Sequence, residues 1–276
     1  MRGHAFPSSC IVNKTIFRYT KTMAKVNMFR VYIIKLIFRL SVLGFVLVGY
    51  FARPDFFELF FKEKVYGEVG LVVVVWAIFM GSMIFHMLPN AHITMGSQKL
   101  FQINYHPVED YDRQQLLEKV RKENIAAMWV LVTWLFLAAV LGVLFLQEIL
   151  GVKELILLTA IFYVSDLICV LFWCPFQQFF IHNKCCVGCR IFNWGHFMMF
   201  TPLLFIVNFF TWSLFFTSLI VMLSWEITML KYPERLWEGS NEALQCVHCK
   251  EQICRIKQPG HLENISKENS RDEGKM

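Results

Sequence analysis

Five apolar windows punctuate the chain, at residues 31–51, 69–88, 125–147, 155–174 and 202 to about 230. Each holds about 20 residues or more, and at about 1.5 Å per residue that length crosses the roughly 30 Å hydrocarbon layer of a bilayer. The runs LVVVVWAIFM and WLFLAAVLGVLFL are unbroken, whereas the strands of a membrane barrel alternate lipid-facing and lumen-facing residues. Lipid cannot hydrogen-bond stray backbone groups, so helix is the conformation expected of every window. The pattern predicts an all-α integral membrane bundle of about five transmembrane helices over residues 31–230. An arm (1–30), a loop (89–124), an interfacial loop (175–200) and a tail (231–276) lie outside the spans.

Composition agrees with a protein built for lipid. The 276 residues are 56% hydrophobic, include 28 Phe, carry only 17% charged side chains and have a mean hydropathy of +0.47. Disordered, collagen-like, coiled-coil and small disulfide-rich classes are thereby excluded. Basic residues give an orientation, because Lys and Arg near span ends stay cytoplasmic. Residues 1–30 hold six, 89–124 hold five and 175–200 hold two, against three in 52–68, one in 148–154 and three early in the tail (Lys231, Arg235, Lys250). The bias predicts a cytoplasmic N-terminus, and five spans then put the tail on the other side. The first span reads as an uncleaved anchor, since its apolar run is too long for a secretory signal and no small-x-small site follows. Met23 is an alternative start. Within 89–124, Pro107, the acids Glu109, Asp110 and Asp112, and the bases Lys119, Arg121 and Lys122 suit the two ends of a helix that runs into the third span.

Ionisable residues within the spans are costly and face the bundle interior or a cavity. Arg39 and Asp166 both fall about 12 Å from the inner ends of their spans by helical rise, so an interhelical ion pair is expected, with Lys35, His86 and Cys169 nearer the same surface. The alternative is that Asp166 serves as structural glue and that Lys35 and Arg39 snorkel. Glu226, near the outer end of the last span, reads as interfacial, and His86 reads as a packing residue.

Seven of the nine cysteines fall in two stretches. The first, CPFQQFFIHNKCCVGCRIFNWGHFMMFTP, holds Cys174, Cys185, Cys186 and Cys189 together with His182 and His196. Pro175 closes the fourth span there, and Thr201 followed by Pro202 reads as cap and first turn of the fifth. The second, CVHCKEQICRIKQPGH, offers Cys246, Cys249, Cys254 and His261, a local set of three thiolates and an imidazole able to close a tetrahedral shell. Structural zinc or an iron–sulfur cluster would need reduced thiolates, as in a cytoplasmic loop. A thiol–disulfide relay would use Cys186 and Cys189, with Arg190 lowering a thiol pKa and Cys185 or Cys174 resolving. Packing of small apolar thiols is the third reading. The two C-x2-C pairs invite one joint site, but the last span separates them unless the final apolar run is re-entrant, so two separate clusters are expected.

The segments CPFQ, NKCC-x2-CRIFNWGHFMMFTP and YPERLWE resemble a group of polytopic bacterial membrane proteins with no assigned activity, over most of the chain from about Met23. The resemblance implies a bacterial cytoplasmic membrane and adds nothing on mechanism. Phosphate-cradling, dinucleotide, H-E-x-x-H and G-x-S-x-G motifs are absent from the sequence, so any enzymatic activity would be of thiol-redox type. The net charge of +6 suits an arm facing anionic lipid and needs no nucleic acid. The expected function is a multi-pass membrane protein with a cysteine-rich metal-binding or thiol-redox site at the interface. The alternatives are a transporter or channel using Arg39 and Asp166, and a scaffold that binds another membrane protein or a second copy.

Overall fold

The computed structural model describes residues 28–52, 64–66, 69–89, 95–183 and 187–245. Seven α-helices lie in these segments: α1 (Met28–Ala52), α2 (Leu71–His86), α3 (Met95–Gln98), α4 (Arg113–Leu146), α5 (Val152–Leu171), α6 (Gly195–Phe200) and α7 (Phe209–Lys231). One antiparallel ribbon, β1 (Lys64–Tyr66) with β2 (Val69–Gly70), precedes α2. Among the described residues the regular structure is thus helical apart from that ribbon and one isolated bridge. Helices α1, α4, α5 and α7 are long and apolar enough to cross a membrane, while α2 has 16 residues. The protein is a multi-pass helical membrane protein.

Local chemistry sets the helix boundaries. Asp112 caps α4, its Oδ1 accepting from the Gln114 and Gln115 amides at 2.7 and 3.4 Å, which leaves those first-turn donors satisfied. The helix therefore starts six residues after Pro107, which instead bridges Asn241. Thereafter α4 continues without interruption to Leu146. Glu154 accepts from the Gly151 amide at 2.8 Å at the start of α5, and Asn208 accepts from the Phe210 amide at 3.0 Å at the start of α7.

The last apolar run is not one helix beginning at Pro202. It is broken into α6, a 3-10 turn over Thr201–Phe205, an extended step at 206–208, and α7. Pro202 has no amide to give to the Met198 carbonyl, so α6 cannot continue through it. Side chains meet the polar groups this break exposes, as an apolar setting demands. Trp134 Nε1 donates to Thr201 Oγ1 at 2.9 Å, and Thr201 Oγ1 donates to the Phe197 carbonyl at 2.8 Å. Thr211 Oγ1 serves the carbonyls of Ile206 and Asn208 at 2.6 and 2.9 Å, and Trp212 Nε1 that of Leu204 at 3.1 Å.

Contacts along the passes fix their directions. Tyr50 meets Glu154 while Tyr32 packs against Leu167 and Leu171, so α1 and α5 are antiparallel. Arg190 meets Asn124, Thr201 meets Trp134, and the Phe205 ring packs against Phe145, so residues 190–205 run beside α4 in the same direction. Close approach at Gly142 makes this possible, since a Cβ there would lie 2.7 Å from the Phe205 ring. Helix α7 then returns, its Phe215 against Phe197 and its Glu226 against Arg190. Helix α2 is antiparallel to the 190–205 segment, with Trp76 beside Phe209 and His86 beside His196. The described chain accordingly traverses the bundle six times, and it begins and ends at the same end. This departs from the arrangement expected of five spans, which separated arm and tail. Residues 232–245 are docked at that shared end by Asn241, whose Oδ1 accepts from the His106 amide at 3.2 Å and whose Nδ2 donates to the Arg235 carbonyl at 2.8 Å.

The core follows from this path. The broken pass is central, with Trp194, Phe197, Met199, Phe200 and Leu203 buried between α4, α5 and α7. Helix α1 is peripheral, only 6% of its apolar window being buried inside the protein.

Candidate functional site

Among the described residues, two charged clusters interrupt the apolar interior. In the first, Arg39 of α1 donates from Nη1 to Asp166 Oδ2 of α5 at 2.8 Å and to the Tyr163 carbonyl at 2.6 Å. Its guanidinium carbon lies 4.3 Å from the Tyr163 ring centroid, a cation–π contact that helps hold a charge away from water. The other carboxylate oxygen, Oδ1, rests against Gly195 at the first turn of α6, where any added Cβ would collide with it. Glycine at 195 is thus what lets the carboxylate reach the broken pass. His86, the last residue of α2, and His196 of α6 lie beside this pair with ring centroids 5.2 Å apart. The cluster joins α1, α2, α5 and α6. The residues that helical depth alone paired, Arg39 and Asp166, are together. His86 is part of the cluster through His196, a contact that no spacing in the sequence could announce because the two residues lie on different passes.

The second cluster lies at the shared end of the bundle. Arg190 and Glu226 form a two-pronged ion pair with bonds of 2.7 and 2.6 Å, the Arg190 side chain being 5% exposed. Trp194 Nε1 donates to the same carboxylate at 2.7 Å, and Trp225 Nε1 donates to the Arg190 carbonyl at 3.0 Å. Lys99 is fully buried, donating from Nζ to the carbonyls of Val187 and Cys189 at 2.8 and 3.1 Å above the Trp225 ring. Sequence reasoning left Glu226 at the outer interface and took Lys99 only as one of the five basic residues of the 89–124 loop. The broken pass reverses α7, which brings Glu226 to Arg190, and the Met95–Gln98 turn folds Lys99 beneath the cysteine-rich loop. A small cleft, open to solvent, adjoins this cluster between Glu123, Arg190, Lys119 and Trp237.

The cysteines are less fully placed. Cys189 is buried within the aromatic core beside Trp194 and Trp225, and Cys174 is half-buried just beyond α5. Cys185, Cys186, Cys246, Cys249, Cys254 and His261 lie outside the described residues. Among the described residues, no group of three His, Cys, Asp or Glu side chains could hold a metal ion.

No family model matches the chain, and neither a curated protein nor a solved structure matches it. The likeness to a bacterial group is therefore supported only as far as a largely helical, multi-span membrane protein.

Proposed function

We propose that the protein moves an ion or small solute across a membrane, along a path that passes the Arg39–Asp166 pair and the break at Gly195. The supporting observation is the contact of an intramembrane carboxylate, ion-paired at 2.8 Å, with the irregular backbone of the central pass. Charges at that depth mark pathways and relays. Non-helical backbone at membrane depth is tolerated where it is buried in protein or lines a cavity, and discontinuous helices carry the binding sites of many transporters. On this reading the six traverses are six membrane crossings, and the basic arm puts the shared end on the cytoplasmic side. The full chain in liposomes, tested with dyes for H⁺, Na⁺, K⁺ and Zn²⁺, should pass one of these ions faster than empty vesicles, and Asp166→Asn should abolish that flux. Flux equal to that of empty vesicles, or flux indifferent to Asp166→Asn, would overturn the proposal.

A second reading keeps the cysteines. The observation favouring it is that Val187, which follows one cysteine pair, and Gln245, which precedes the other, are both held at the same end of the bundle. Cys174, Cys185, Cys186 and Cys189 on one side and Cys246, Cys249, Cys254 and His261 on the other would then serve one compartment, with zinc or an iron–sulfur cluster as the chemistry. Metal content of the purified chain, compared with Cys186→Ser and Cys249→Ser, tests it. Equal content in all three counts against it.

A further inference from the structure

We propose that His86 and His196 together hold one exchangeable proton at the break in the bundle. This deepens the transport reading and rests on it for its purpose, although proton binding itself requires no flux. The two imidazoles come from different passes, and their rings lie 5.2 Å apart at an interplanar angle of 62°. His86 Nδ1 is 2.7 Å from the Ser82 carbonyl oxygen. A carbonyl can only accept, so Nδ1 carries the hydrogen and Nε2 keeps the lone pair. A proton from the aqueous side therefore forms an N–H bond at an imidazole lone pair, turns the neutral pair into a single cation, and leaves by the reverse step. A second proton would set two cations side by side, so the pair titrates as a unit.

The charged groups that act on the pair come from two neighbouring helices: Lys35 and Arg39 of α1 and Asp166 of α5. The acid that α7 brings to this region, Glu226, is engaged by Arg190 and by Trp194 Nε1. Arg39 already holds the Asp166 carboxylate at 2.8 Å, so a cation on the histidines would compete with Arg39 for it. Protonation of the pair and closure of the ion pair are thus linked, each weakening the other. A carboxylate whose partner depends on proton occupancy is a coupling element for proton-driven transport.

The test is a pH titration of the full chain in lipid nanodiscs, read by NMR of 15N-labelled histidine and assigned with His86→Gln and His196→Gln. The two imidazoles should move together through a single one-proton transition. Removing either should shift the other by about half a pH unit or more, roughly threefold in proton affinity, and Asp166→Asn should weaken proton binding by a similar factor. Two independent transitions, each indifferent to the other residue and to Asp166, would overturn the proposal. So would stoichiometric Zn²⁺ that perturbs both rings, because that assigns the pair to a metal. If the glutamine variants do not fold, the unsubstituted chain decides, since one shared transition supports the site and two separate ones sink it. A shared transition with no ion flux upholds the proton site and defeats the transport reading, and flux lost in Asp166→Asn with independent histidines does the reverse.

Discussion

Arg190 meets Glu226 through two hydrogen bonds with its side chain 5% exposed, whereas Arg39 meets Asp166 through one, with the two side chains 18% and 33% exposed. Their surroundings differ as much as their geometry. Glu226 also accepts from an indole and Arg190 touches Asn124, so each partner in that pair is held from several elements. Arg39 spends its second bond on a main-chain carbonyl and arrives on a helix that is barely covered by protein. The first pair fixes the route of the chain around the break. The second is held at fewer points and on a more exposed helix, as the proposed pathway requires and a brace does not.

The comparison breaks most sharply if Glu226 is removed. Glu226→Ala leaves the Arg190 guanidinium buried without its carboxylate, and a loss of about 3–5 kcal/mol in stability is expected from stranding such a charge. Reversible unfolding in mixed micelles measures it. Next in size is Gly195→Ala, whose methyl group collides with Asp166 Oδ1 and should cost about 1–3 kcal/mol by overpacking. Its cost should fall when Asp166→Asn accompanies it only if the smaller charge lets the amide move aside, a double-mutant cycle that reports how freely this pair yields. Asp166→Asn alone should lower stability by only about 1–2 kcal/mol, between the values for exposed and buried pairs, while removing flux. Exchanging the two residues, as Arg39→Asp with Asp166→Arg, should restore protein level above either single change. A cost for Asp166→Asn as large as that for Glu226→Ala would erase the distinction between clasp and pathway. The smallest effect is expected at His182, which ends the Gln177–Ile181 turn in a left-handed conformation at φ 53°. His182→Gly should gain about 1 kcal/mol by relieving that strain, and the same unfolding assay would show it.

Four of the long helices were legible because hydropathy runs of twenty or more residues have few alternatives in lipid. The depth argument also placed Arg39 opposite Asp166, since rise per residue is nearly constant in a helix. The break was hidden by the same apolarity that revealed the spans: FMMFTPLLFIVNFF is continuous to a hydropathy window, and Thr201, Pro202 and Asn208 were available as its markers. Reading Pro202 as a start rather than an interruption turned two passes into one, and with it separated Glu226 from Arg190. Lys99 was illegible for a different reason. A lysine in a polar loop is normally solvated, and only the carbonyls of Val187 and Cys189 waiting above Trp225 make its burial tolerable.

Helix α2 has 16 residues, a rise of about 24 Å, which is several ångströms less than the fatty interior of a typical membrane. Taken as one of the six proposed crossings, α2 would force the acyl chains along its outward face to shorten or tilt to meet its ends, at a fraction of a kcal/mol per ångström. On that reading the lipid around this one rod is pinched, and the protein should settle more readily in sheets of short-chain lipid than in thick, sterol-stiffened ones.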